Sequence, residues 1–107
     1  MILKDLIPYL IDKKGLEELI SKDSVSIDTE AVLIYLEQDL KIDSKIRFFS
    51  FEETDDYLEC ELNGVKYIQF FPLNYAIELI SDWNLVGLGL NNEEIAKRLL
   101  KYRIYDA

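Results

Sequence analysis

The 107-residue chain contains no histidine. That absence removes the commonest general base, the commonest metal ligand and every Ser–His or Cys–His nucleophile arrangement. Carboxylate catalysis and a lysine or tyrosine base are what remain. Cys60 is the only cysteine, which excludes an intramolecular disulfide and with it a secreted, disulfide-stapled scaffold. The longest apolar run, Ala31 to Leu36, is far shorter than the ~20 residues a membrane-spanning helix needs. Met1-Ile2-Leu3 leads straight into Lys4 and Asp5, with no small-residue cleavage site after a long apolar stretch. No signal peptide is read there, and a cytosolic location is expected. No internal repeat, linker or low-complexity segment divides the chain, whose length is that of one ordinary domain.

What is present supports a self-sufficient core. Half of the residues are hydrophobic and 12% are aromatic, enough apolar surface to offset chain entropy. Lysine and arginine number 12 against 21 acidic residues, a formal net charge of −9. Such a chain is repelled by nucleic-acid backbones and anionic membranes, and its electrostatic complement is a basic protein. The plain alternative is that the charge only keeps the chain soluble.

Residues 3–22 carry a helical pattern, with Leu3, Leu6, Ile7, Leu10 and Ile11 spaced by three and four. Pro8 fits best near a first turn, which places the start of the regular helix at about Asp5. Lys13, Lys14 and Gly15 form a stop signal, and Leu16, Leu19 and Ile20 a second short helix. Ser24 to Asp28 is polar and turn-like. Asp28 is placed to cap a third helix from Thr29 to Leu40, with Glu30 in its first turn. Within it, Val32 to Leu36 also fits a buried strand, which periodicity cannot distinguish from helix.

The middle of the chain then changes period to two. Ile46 to Phe51 is aromatic and β-prone. Tyr57 to Leu62 alternates, Asn63-Gly64 is a strong signal for a two-residue turn, and Val65 to Phe71 returns. The turn sets Leu62 opposite Val65, Cys60 opposite Tyr67 and Leu58 opposite Gln69. On the other side it sets Glu61 opposite Lys66 and Tyr57 opposite Phe70. With Glu52 to Asp56 joining the first two strands, the expectation is a three-stranded antiparallel β-meander. Pro72 opens a helix striped by Leu73, Ala76, Ile77 and Ile80. Asn91 and Glu94 form a capping-box-like start to a last helix, which runs to about Tyr102 with Ile95, Leu99 and Tyr102 inward. The fold expected is α+β: N-terminal helices, the meander, then two C-terminal helices.

The candidate partner-binding residues are Glu52, Glu53, Asp55, Asp56, Tyr57, Glu59 and Glu61. No lysine or arginine lies between Arg47 and Lys66. On the meander these carboxylates share one sheet edge and its turns, beside Phe48, Phe49, Phe51, Tyr57, Phe70 and Phe71. An anionic rim around aromatic anchors suits a protein-binding surface, the alternative being a solvated turn over an ordinary aromatic core. Alternation puts one ring of Phe48-Phe49, and one of Phe70-Phe71, on each sheet face. Either helices cover both faces or one face meets another chain.

Other chemistry is poorly supported. Asp55-Asp56 lacks the alternating oxygens, mid-loop glycine and terminal glutamate of a calcium loop. Paired acids for glycoside hydrolysis are not readable from spacing. Cys60 sits on the inward side of its strand among acidic neighbours, which disfavours its thiolate. Gly87-Leu88-Gly89-Leu90 lacks the third glycine, the preceding strand and the lysine of phosphate loops. Catalytic, cofactor and metal residues are therefore not assigned.

The segment Leu90 to Leu99, with its Glu94-Ile95-Ala96 run, resembles the first helix of helix-turn-helix regulators of the LuxR response-regulator type. The resemblance implies DNA reading by a following helix, but only Leu100 to Ala107 follow, too few for a turn and a recognition helix. Lys97, Arg98, Lys101 and Arg103 nevertheless make this end basic. The helix dipole accounts for that placement; so does contact with an acidic surface on this chain or a second copy.

Three functional readings follow. The first is a non-enzymatic acidic protein-binding domain, in its most concrete form a small inhibitor or immunity-type protein masking a basic partner such as a nuclease toxin. The second is a regulatory accessory protein acting near nucleic acid, as a homodimer through the C-terminal helix. The third is a carboxylate enzyme.

Overall fold

A computed structural model describes residues 1–23 and 29–105. The turn read at Ser24 to Asp28, including the cap assigned to Asp28, lies outside the described residues.

Helix α1 (Leu3–Asp12) buries Leu3, Leu6, Ile7 and Leu10, the stripe the spacing requires. It begins two residues before the start argued from Pro8, so the proline sits inside it. An exposed proline forfeits one backbone hydrogen bond on the solvent side, and burial of the opposite face holds the helix. Asp5 Oδ2 accepts from the Ile2 N–H at 3.1 Å, fixing the first turn. Lys13 (φ 61°) and Gly15 (φ 79°) then adopt left-handed backbone and turn the chain into α2 (Leu16–Ser21).

A 3₁₀ turn (Thr29–Ala31) leads into strand β1 (Val32–Glu37), where a helix to Leu40 is expected from the flanking residues. Val32 to Leu36 are all at most 3% exposed. Five consecutive buried apolar residues would load every side of a helix. In a strand with both faces covered they are all accommodated. β1 pairs with β2 (Ile46–Ser50), and the short helix α3 (Phe51–Thr54) follows directly. Next come β3 (Glu59–Leu62), β4 (Val65–Pro72), α4 (Leu73–Asp82) and α5 (Asn92–Tyr105).

The sheet therefore has four antiparallel strands in the order β2-β1-β4-β3, replacing the three-stranded meander. β2 and β3 are consecutive in sequence yet lie on opposite edges, because β1 and β4 pair with each other between them. The β3–β4 hairpin has the anticipated register, with Leu62 opposite Val65, Glu61 opposite Lys66 and Cys60 opposite Tyr67. Asn63 (φ 53°) and Gly64 (φ 80°) supply the positive φ of its turn.

One face of the sheet carries α1, α4 and α5 over Ile34, Leu36, Phe48 and Phe70. A register shift at Ile34/Tyr35 breaks the alternation of β4. Phe71 faces Ile34, Gln69 faces Tyr35, and Phe70 is the extra residue between them. This β-bulge puts both Phe70 and Phe71 on the helix-covered face, not one on each, with ring centroids 4.7 Å apart. Phe48 and Phe49 do divide between the faces. Phe71 also contacts Tyr75 of α4 and stacks on Tyr102 of α5, while Trp83 meets Tyr102 edge-on at 4.9 Å. This aromatic junction seats α5, whose start has the expected reciprocal cap: Glu94 N–H to Asn91 Oδ1 and Asn91 N–H to Glu94 Oε1. Ile95 and Leu99 are buried and Tyr102 half-buried. None of the helices in the described residues is long and apolar enough to cross a membrane.

Candidate functional site

Among the described residues the second face of the sheet carries no long helix, yet Leu33, Tyr35, Phe49 and Tyr67 on it are buried. Residues 51–58 account for this. They leave β2 at one edge and enter β3 at the other, and so must cross β1 and β4, about 14 Å at ordinary strand spacing. This strap begins at Ser50, where serine Oγ accepts from the Glu53 N–H and Glu53 Oε1 accepts from the Ser50 N–H. That reciprocal cap is why four residues suffice to form α3. The helix stops where Asp55 and Asp56 both take positive φ, at 49° and 58°.

Tyr35 holds the strap to the sheet. Its hydroxyl donates to the Tyr57 carbonyl at 2.6 Å and shares a second hydrogen bond, 3.1 Å long, with Thr54 Oγ1. Gln69 Nε2 donates to Asp56 Oδ1 at 2.7 Å and also lies 3.5 Å from the Tyr35 hydroxyl. Tyr35 and Gln69 come from the two central strands, side by side across the bulge. Burial pushes the Tyr35 phenol above its ordinary 10.0, while the hydrogen bonds to Thr54 and Gln69 pull it back. The hydroxyls of Tyr35 and Thr54 and the amide of Gln69 are thus paired beneath the strap.

Arg47 packs on the same face, its guanidinium 5.2 Å from the Phe49 ring centroid and 5.9 Å from that of Tyr67. The rings meet its charge, while its Nε is buried without a hydrogen-bond partner. Cys60 is half-buried nearby; burial raises its thiol above the ordinary 9.0, Arg47 opposes the rise and Glu53 adds to it. The thiolate is thus disfavoured mainly by burial, with an acidic neighbour, the cause expected from the sequence, contributing less.

All seven residues singled out in the sequence are exposed on the strap or on β3. They do not share one edge: Glu52 and Glu53 start beside β2, Asp55, Asp56 and Tyr57 follow across the face, and Glu59 and Glu61 lie on β3. Glu52 to Tyr57 form a band across this face, while Glu59 and Glu61, which alternate with Cys60 and Leu62, point to the opposite side of the sheet at the β3 edge. Three carboxylates have internal partners: Glu53 at its cap, Asp56 on Gln69, and Glu59 3.6 Å from Lys66 Nζ. The ion pair of Lys66 is thus the diagonal one with Glu59, although Glu61 is its register partner. Of the aromatics grouped with the acids, Phe48, Phe49, Phe70 and Phe71 are core. Only Phe51 and Tyr57 are exposed, at 49% and 65%.

Sequence reasoning passed over Leu58, which is 63% exposed, and the groove beside it. Leu58, Phe71, Pro72, Tyr75 and Arg103 border an open, mainly apolar depression of about 460 Å³ at the Leu58 end of β3. Arg103 Nε donates to the Gln69 carbonyl at 3.1 Å, so one cation of the basic C-terminal helix is engaged within the chain. The signal for Leu58 was present, since an apolar residue at a strand entrance beside charged neighbours has no obvious cover. Among the described residues no cluster of acids and cysteine suits a metal ion. No protein-family model, curated protein or solved structure matches the chain.

Proposed function

We propose that this chain is a non-enzymatic protein-binding domain that takes a basic protein on its acidic strap. The observation that carries the reading is the strap itself: an exposed anionic segment bearing Phe51, Tyr57 and Leu58, with no basic residue from Phe48 to Val65. It is held in one conformation by the buried Tyr35 and Gln69. A segment ordered before binding avoids the entropy of ordering it on contact, and its charge speeds encounter with a cation. Exposed rings beside it provide the apolar contact on which protein interfaces depend. The narrowest form of the proposal is an inhibitor that masks the basic working surface of a nucleic-acid-acting enzyme.

The test reverses carboxylates that have no internal role. Glu52→Lys and Asp55→Lys in one variant leave the Ser50–Glu53 cap and the Tyr35 network intact. Immobilised wild-type chain should capture a basic protein from native lysate, with capture falling steeply as salt rises. The variant should lose it; undiminished capture rejects the strap as the binding surface.

A further inference from the structure

The two outer rims of the sheet are treated differently. Along β2, the N–H groups of Ile46, Phe48 and Ser50 point away from β1, and each has an acceptor within the chain. The Met1 carbonyl takes the first, Asp23 Oδ2 the second and Glu53 Oε1 the third, all at 2.9 Å. That rim offers a further strand none of these three donors. Along β3, the Gln69 N–H bonds to the Leu58 carbonyl, so Leu58, Cys60 and Leu62 turn their backbone groups toward β4. Antiparallel alternation then points the N–H and C=O of Glu59 and Glu61 outward. Neither pair has a hydrogen-bond partner among the described residues, and both side chains are exposed. Unpaired strand rims of this kind are templates for another strand.

Building on the reading of the strap as a basic-protein site, we infer that β3 receives an extended segment of the partner as a fifth, antiparallel strand, carrying lysine or arginine opposite Glu61 and Glu59 and an apolar residue beyond them. Charge selects this occupant over a second copy. Two-fold pairing of β3 with itself would set Glu59 against Glu61 of the other copy, and like charges directly opposite are destabilising. A basic strand reverses that sign. Its cations would lie on the same side as Glu59 and Glu61, extending the row in which Lys66 already pairs with Glu59. Antiparallel direction carries the guest past Leu58 to the groove bordered by Phe71, Pro72, Tyr75 and Arg103. The pattern is thus basic, any, basic, any, apolar, read from the amino end of the guest.

A blocked peptide Ser-Val-Lys-Val-Lys-Val-Leu-Ser is the probe. The control is the same peptide with both lysine backbone nitrogens methylated, which keeps charge and side chains but removes the donors facing Glu59 and Glu61. Amide hydrogen exchange is read by NMR on the full chain. The expected result is exchange at Glu59 and Glu61 slowed about tenfold or more by the probe, with the methylated peptide binding about tenfold more weakly. The variant Glu59→Lys/Glu61→Lys, altered only at exposed positions, should bind neither peptide. Equal binding of the methylated peptide, or protection elsewhere than β3, overturns strand addition and leaves the acidic-surface reading standing. Failure of both peptides to bind overturns strand addition, while the capture test on Glu52 and Asp55 decides the strap reading separately. Protection of Glu59 and Glu61 without peptide, together with a dimer in sedimentation, makes a second copy the occupant and also overturns it.

Discussion

Tyr35 places a hydroxyl under the strap, hydrogen-bonded to the Tyr57 carbonyl and to Thr54. Replacing it by phenylalanine keeps the ring packed edge-on to Phe49 but leaves the Tyr57 carbonyl unpaired. A lost buried partner of this kind costs about 1–3 kcal/mol. Tyr35→Phe should lower the denaturant midpoint accordingly and make the 54–58 peptide bonds accessible to protease. The pH dependence has a definite sign. The folded phenol titrates above its ordinary 10.0, so its contribution is complete below that pH and is lost as pH rises through the folded value. Stability should therefore fall above about pH 10, and less so in Tyr35→Phe. Cys60, its thiol raised by burial, should react with iodoacetamide at pH 8 several-fold more slowly than in the urea-unfolded chain, followed by mass spectrometry. At this scale the sequence discloses what is local. Asn91 and Glu94 announce their cap because they are 3 residues apart. The hydroxyl of Tyr35 finds partners 19, 22 and 34 residues away, and no pattern in its own neighbourhood points to them.

Among the elements, the β3–β4 hairpin is legible because a two-residue turn fixes every pair that follows from it. Gly64 is the residue on which that turn depends, with φ 80° and open space where a side chain would begin. Gly64→Ala meets no clash there, so its cost is the backbone alone, about 1–2 kcal/mol. Equilibrium unfolding should show that loss with an unchanged slope. β1 is less readable, since Val32 to Leu36 satisfy both a helix and a strand buried on both sides, and only the neighbours decide. The destination of Phe71 is not readable at all. The bulge that turns it to the helices arises from the pairing of β4 with β1, where Ile34 meets Phe71 and Tyr35 meets Gln69, far apart in sequence.

For the molecule as a whole, the −9 charge is offset by few internal contacts: the described ion pairs, Lys41–Asp39 and Lys66–Glu59, are both exposed. Self-repulsion opposes the compact state, and salt at about 0.15 M shortens its reach to about 8 Å. Adding sodium chloride to that level should raise the thermal midpoint, and a fall would mean that attraction dominates. The α+β class and the acidic segment are both legible from composition and period. Strand order is not, because a chain that returns to the far edge and one that forms a meander share the same run of strands and turns. The carboxylates are consequently divided between the strap on one face and the β3 edge on the other, where one shared edge was expected.

The margin at Ile46, Phe48 and Ser50 has a consequence for assembly. A β-domain with two vacant borders can polymerise, each unit serving as host and guest in turn. Here three outward N–H groups of one border are already taken, by the Met1 carbonyl, an aspartate and a glutamate of the same chain. Edge-to-edge addition at β3 therefore finds no matching row of free donors at the opposite border, which works against open-ended fibres.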